Sequence, residues 1–224
     1  MPHFFENLNR RYGRYAPERI MGYIIGGRVL VWLFVLLINS NALFWLPLSR
    51  PGLLSGQIWR LITFVFVPDL SSFNISGYGL LSFIISLYFL YFISNALEAN
   101  WGSFYFDAYF LVGMLGAIVS CLLTGVYSSF ALTESLFFAF ACMYPDVEVL
   151  LFFVLPIKVK WIGAASAFLY AYNFFSSSLP VKVAMLLGIA NFLLFFGPDV
   201  INRLRSRRRK QQWQQEWKNN NYRF

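Results

Sequence analysis

Six apolar runs punctuate this chain, at about residues 20 to 39, 78 to 97, 104 to 124, 129 to 144, 161 to 175 and 180 to 196, and they constrain its fold more than any other feature. A helix needs about 20 mainly apolar residues to cross a bilayer. The runs therefore predict six membrane helices, with the fourth short for a span. Pro47, Pro51, Pro68 and Pro145 break the connections, and Gly197-Pro198 terminates the last run. Arg28 interrupts the first run, so the true helix start is expected nearer Val29, with the guanidinium snorkelling toward the cytoplasm or pairing with an intramembrane acid. Leu150 to Leu155 is too brief to cross and leads into Pro156-Ile157-Lys158-Val159-Lys160-Trp161, an interfacial pairing of lysine with tryptophan.

Composition agrees with this class. Only 12% of residues are charged and 58% are hydrophobic, whereas soluble domains carry about 25% charged residues. The net charge of +8 does not point to nucleic acid, because the basic residues flank the apolar runs. With six crossings, both termini and the connections at 98 to 103 and 145 to 161 fall on one side. That side then holds all of the 18 Lys and Arg residues except Arg50, Arg60 and Lys182. The positive-inside rule makes it the cytoplasmic one. Cys121 and Cys142 lack metal-type spacing and read as small apolar packing residues; no metal or cofactor is expected. Residues 1 to 19 have no apolar core of a cleavable signal peptide.

Three regions follow: a cytoplasmic N-terminal segment (1 to 19), a membrane domain (20 to 197) and a basic cytoplasmic tail (198 to 224). In the first, Phe4, Phe5, Leu8, Tyr12 and Tyr15 recur at near-helical spacing among Arg10, Arg11 and Arg14. This suits either an amphipathic segment on an anionic surface or a solvated leader. The tail, from Arg203 through Lys210 to Trp213 and Trp217, suits contact with anionic lipid that anchors topology, with a protein partner as the alternative.

Small residues recur where helices should pack. Gly113, Ala117, Cys121 and Gly125 lie four residues apart in the third run, and Gly163, Ala167 and Ala171 do so in the fifth. Such stripes let backbones approach closely, the main packing device where lipid supplies no hydrophobic drive. Asp107 is expected in the first turn of its helix, where it would complement the N-terminal partial charge.

The stretch Gly56-Gln57-Ile58-Trp59-Arg60-Leu61-Ile62-Thr63-Phe64 places Trp59 and Arg60 in an apolar-rich connection. A guanidinium near hydrocarbon is costly unless it snorkels or is paired, and indole prefers headgroup depth. Residues 41 to 76 are thus expected to form a loop lying in one leaflet. Gly-x-x-Trp-Arg-Leu-Ile-Thr-x-x-Phe resembles the signature of the rhomboid superfamily, which includes intramembrane serine proteases and inactive relatives such as derlins. Glu98 followed by Gly102-Ser103, then Phe106, Tyr109 and Gly113, resembles the junction between that family's second and third helices. The resemblance covers about residues 29 to 197. It implies an all-α, six-transmembrane-helix bundle with an interfacial loop between helices 1 and 2, in which Trp59, Arg60, Glu98 and Gly102 are fold determinants.

The resemblance also says where protease chemistry would sit, and that chemistry is missing. A rhomboid protease carries Gly-x-Ser-Gly on its fourth helix, a histidine base on its sixth and oxyanion donors on its second. Here the serine position falls on Glu134 or Ser135 within Leu-Thr-Glu-Ser-Leu, the oxyanion pair on Ser82 and Ser86, and the base position on Ala190 or Asn191. Serine is a poor nucleophile without a base, and the single histidine, His3, precedes the first helix. The resemblance places Ser82, Ser86, Glu134, Ser135 and Asn191 together in the bundle interior. Glu134 reads as a helix cap, a residual binding group or, least, a catalytic acid.

A catalytically inactive rhomboid-like protein that binds transmembrane segments of client proteins is therefore the expected function. Its partners are the bilayer and membrane-protein clients, with no nucleic acid. The alternatives are an intramembrane serine protease with an unconventional site, such as Ser135 with Glu134, and a small transporter. Chain size without extra domains or sorting motifs points to a bacterial plasma membrane.

Overall fold

The computed structural model describes residues 13, 16–17, 19–37, 42–68, 77–125, 129–151 and 155–196. The expected N-terminal amphipathic pattern, His3 and the basic tail lie outside the described residues. The elements in order are α1 (Ile20–Leu37), α2 (Ala42–Trp45), α3 (Arg50–Leu54), α4 (Arg60–Thr63), a 3-10 turn (Phe64–Phe66), α5 (Gly77–Trp101), α6 (Ser103–Thr124), α7 (Ser129–Met143), β1 (Glu148–Leu151), β2 (Leu155–Lys158), α8 (Val159–Ser176) and α9 (Leu179–Phe196).

Among the described residues, four helices are long and apolar enough to cross a membrane: α1, most of α5, α6 and α9. The other two differ for separate reasons. At 15 residues α7 is short, and α5, α6 and α8 all pack against it. Nearly every residue from Ala131 to Phe140 is buried. A helix enclosed by protein is released from matching the hydrocarbon thickness. By contrast, α8 has 18 residues but is diluted by Lys160, Ser166 and Asn173. A helix forms over each of the six apolar runs, and four of these helices meet the length and hydropathy of a span.

The geometry at Arg28 and at the α5–α6 turn differs from the sequence expectation. Instead of starting near Val29, α1 runs unbroken from Ile20 through Arg28. The Arg28 Nε donates to the Val65 carbonyl at 3.0 Å, so the side chain turns to the loop rather than snorkelling away. At the other junction α5 continues to Trp101, and Gly102 alone separates it from α6 with φ of +84°. A side chain there would be strained. Glu98 closes the turn, its Oε1 accepting from the Ser103 hydroxyl and from the Arg19 backbone N–H, each at 2.8 Å. The α5–α6 corner is thereby tied to the start of α1.

Asp107 falls one residue beyond the first turn of α6, which holds no acidic residue. Its carboxylate is buried, and neither oxygen has a hydrogen-bond partner among the described residues. The N-terminal complement expected of it is not made.

The connection between α7 and α8 is an antiparallel hairpin rather than irregular loop. Its register pairs Glu148 with Lys158, Val149 with Ile157, Leu150 with Pro156 and Leu151 with Leu155. Backbone bonds from Val159 N to Val147 O (2.8 Å) and Lys160 N to Pro145 O (3.1 Å) extend the pairing to its base. There Lys160 Nζ bridges Asp146 Oδ1 at 3.0 Å. That ammonium, through its hydrogen bond and its charge, holds the exposed Asp146 carboxyl below its ordinary value of 3.8.

Candidate functional site: a caged arginine and a buried serine–asparagine pair

Arg60 is buried, with 6% of its surface exposed, although it lies in a loop. Three short elements converge on its guanidinium. Nε donates to Gln57 Oε1 at 2.6 Å, Nη1 to the Pro47 carbonyl at 2.6 Å and Nη2 to the Phe44 carbonyl at 2.8 Å. The planar fork satisfies carbonyls freed where Pro47 and Pro51 interrupt helical bonding. Gly52 allows this approach, because a Cβ there would come within 2.6 Å of Arg60 Nε. Thr63 Oγ1 adds a bond to the Leu46 carbonyl at 2.8 Å, and Trp59 Nε1 one to the Trp45 carbonyl at 3.3 Å. Trp59, Phe44, Trp45, Leu54, Ile58 and Ile62 are exposed around this cage. The guanidinium cage is thus a polar centre with apolar side chains exposed around it.

Ser135 and Asn191 meet at the centre of the helices. Both are fully buried. Asn191 Nδ2 donates to Ser135 Oγ at 3.0 Å, and that hydroxyl gives its own proton to the Leu132 carbonyl at 2.8 Å. The Phe192 N–H donates to Asn191 Oδ1 at 2.8 Å, orienting the carboxamide with its nitrogen toward Ser135. Tyr109, also fully buried, donates its hydroxyl to the Ser135 carbonyl at 2.9 Å. These bonds join α6, α7 and α9 at one point. Gly113 makes the junction possible: a Cβ there would lie 2.5 Å from Leu132 Cδ2 and 2.7 Å from Asn191 Nδ2. Ala117 is buried one turn further along the same face of α6.

The other residues expected in this cluster lie elsewhere. Ser82 and Ser86 are on the exposed face of α5, where Ser86 Oγ bonds the Phe83 carbonyl of its own helix at 2.8 Å. Glu134 turns toward α8, near Ser166 and Tyr170. It is not an N-terminal cap, being in the second turn of α7. Gly163 is buried against Ala141, but Ala167, one turn on, is exposed along an open groove between α8 and α9. Tyr109 entered the sequence reading only as part of a motif; a phenol between small and aromatic residues on a packing helix was the available signal.

Chemically, the arrangement is structural. A carboxamide cannot take a proton from serine near neutral pH, and the Ser135 hydroxyl is already both donor and acceptor. Among the described residues, no group of three or more His, Cys, Asp or Glu side chains could hold a metal ion. No family model matches the chain, and no curated protein matches it.

Proposed function

We propose that this chain is a catalytically inactive rhomboid-like membrane protein, with six crossings and both termini cytoplasmic in a bacterial plasma membrane, that binds transmembrane segments of client proteins. The observation that carries this reading is the Ser135–Asn191 pair. At the positions that the resemblance assigns to nucleophile and base, a hydroxyl and a carboxamide are fully buried and locked by hydrogen bonds. That pairing supports retention of the bundle without its chemistry. The count of six relies on α7 crossing inside the shelter of its neighbours and on α8 crossing at the outside of the bundle.

The outward-facing surfaces of α5 and α8 support the binding role. Both helices pack on α7, and both present apolar residues outward, among them Ile84, Ile85 and Tyr88 on α5 and Phe168, Leu169 and Tyr172 on α8. The exposed Ser82 and Ser86 give α5 two hydroxyls at a surface otherwise apolar. Photocrosslinking probes at Ser86 and Phe168, with a buried control at Asn191, test the reading in native membranes alongside cleavage assays on co-expressed single-span proteins. Adducts with membrane proteins at the two exposed sites and intact single-span proteins are expected. Cleavage abolished by Ser135→Ala would overturn the proposal, as would the absence of protein adducts at both exposed sites.

A further inference from the structure

An apolar opening among the described residues lies apart from the Ser135–Asn191 pair. It lies between α8 and α9 with α7 as its floor, a cavity of about 450 Å³. That volume is within the range of about 300–1,000 Å³ typical of ligand sites. Its lining runs from Lys160 at the start of α8 to Phe175 near its end. Over that length α8 rises about 22 Å, more than the ~15 Å depth of one leaflet.

Three features define what fits. The walls are aliphatic and aromatic, with Phe138, Phe174, Leu186 and Phe192 among them. Small residues keep the groove open: Ala164, Ala167 and Ala171 line it and are exposed. Tyr170 bridges the two helices, donating to the Met185 carbonyl at 2.7 Å, which holds the separation at a set width. Lysine is the only charged side chain in the lining, as Lys160 at one end. The exposed Trp161 stands beside it, and lysine with tryptophan is the pairing found at headgroup depth. Lys160 uses one donor on Asp146, and an ammonium has three.

We propose that this groove is a binding site for a single glycerophospholipid of the bilayer, with an acyl chain lying between α8 and α9 and the phosphate on Lys160. The charge complementarity and the lateral opening select this occupant. A transmembrane helix would bring an apolar rim to Lys160 and offer its ammonium nothing, whereas a phosphate supplies acceptors at the depth where Lys160 sits. The groove shares α8 with the surface proposed for clients but is lined by other residues of that helix, and the assignment does not depend on the client reading.

Native mass spectrometry of the full chain, released from nanodiscs of phosphatidylethanolamine and phosphatidylglycerol, tests the assignment. Wild-type protein is expected to retain one phospholipid after detergent washing. Ala167→Trp, which fills the groove, should abolish retention, while Ala165→Trp, on the same helix but outside the lining, should leave it unchanged. Lys160→Gln should weaken retention about tenfold through loss of a charge-assisted contact. Helicity and elution volume matching wild type establish that Ala167→Trp is folded; if it does not fold, alkylation of Cys142, which lines the groove, is read in a Cys121→Ala background. Added phospholipid should then slow the reaction of delipidated protein. Equal retention in folded Ala167→Trp, an unaltered Cys142 rate with phospholipid, or a co-purifying polypeptide displaced by Ala167→Trp would overturn the assignment.

Discussion

Replacing Arg60 by alanine should unfasten the loop between α1 and α5 without touching the helices. The guanidinium serves Gln57, Pro47 and Phe44 at 2.6, 2.6 and 2.8 Å. Hydrogen bonds to a charged group contribute about 1.5–3 kcal/mol each. Their loss is partly offset where the freed carbonyls reach interfacial water, so the net destabilisation is about 3 kcal/mol. For a chain of this size that corresponds to a melting temperature about 6–12 °C lower. Tryptophan fluorescence during thermal unfolding in mild detergent would read it. Arg60→Lys separates geometry from charge: an ammonium keeps the charge but cannot span three acceptors as a planar fork does. It should recover about half of the loss. An Arg60→Ala protein melting within about 1 °C of wild type would refute the caging argument, and Arg60→Lys equal to wild type would refute the role of the fork.

Ser135→Ala should cost about 1–3 kcal/mol, because it leaves the buried Asn191 Nδ2 without its acceptor; a double-mutant cycle with Asn191→Leu, measured by denaturant unfolding, should show the pair recovering part of that. Gly113→Val should destabilise by about 2 kcal/mol or more, since even a Cβ overlaps Leu132 and Asn191, whereas Gly26→Ala, with open space around its Cβ, should melt near wild type. Carbon-detected NMR of labelled aspartate should find the Asp146 carboxyl titrating below 3.8, and Lys160→Gln should raise that midpoint. The sign follows from the depressed folded value: the pair's contribution is present above the unfolded pKa and disappears as pH falls through the folded one.

Particular residues mark how far the sequence could be read. Arg60 was recognisable as needing a partner, because its cost near hydrocarbon is a property of the residue and its neighbours in the chain. Its acceptors were not recognisable: two are backbone carbonyls 13 and 16 residues away, and any backbone carbonyl reads alike. The resemblance groups Ser135 with Asn191, and the structure brings them to 3.0 Å. Ser82 and Ser86 were grouped with them by the same reasoning and instead face outward. The hairpin at 148 to 158 escaped because its strands are short and its apolar residues resemble a helix fragment.

What the sequence by itself determined is the existence, order and approximate ends of the helices. Apolar run length, Pro and Gly breakers and flanking charge act locally, and the bilayer's thickness turns them directly into elements. What only the tertiary structure decided is which side of each helix faces inward. The long helices carry almost no hydrophobic asymmetry, because lipid and protein interior are similarly apolar and no polar face is needed toward the hydrocarbon. Helix orientation then rests on shape: Gly113 admitting Asn191, Gly163 admitting Ala141, and Ala167 left without a neighbour along the groove. Such complementarity belongs to pairs of surfaces distant in sequence, and it becomes visible only when the helices are brought together.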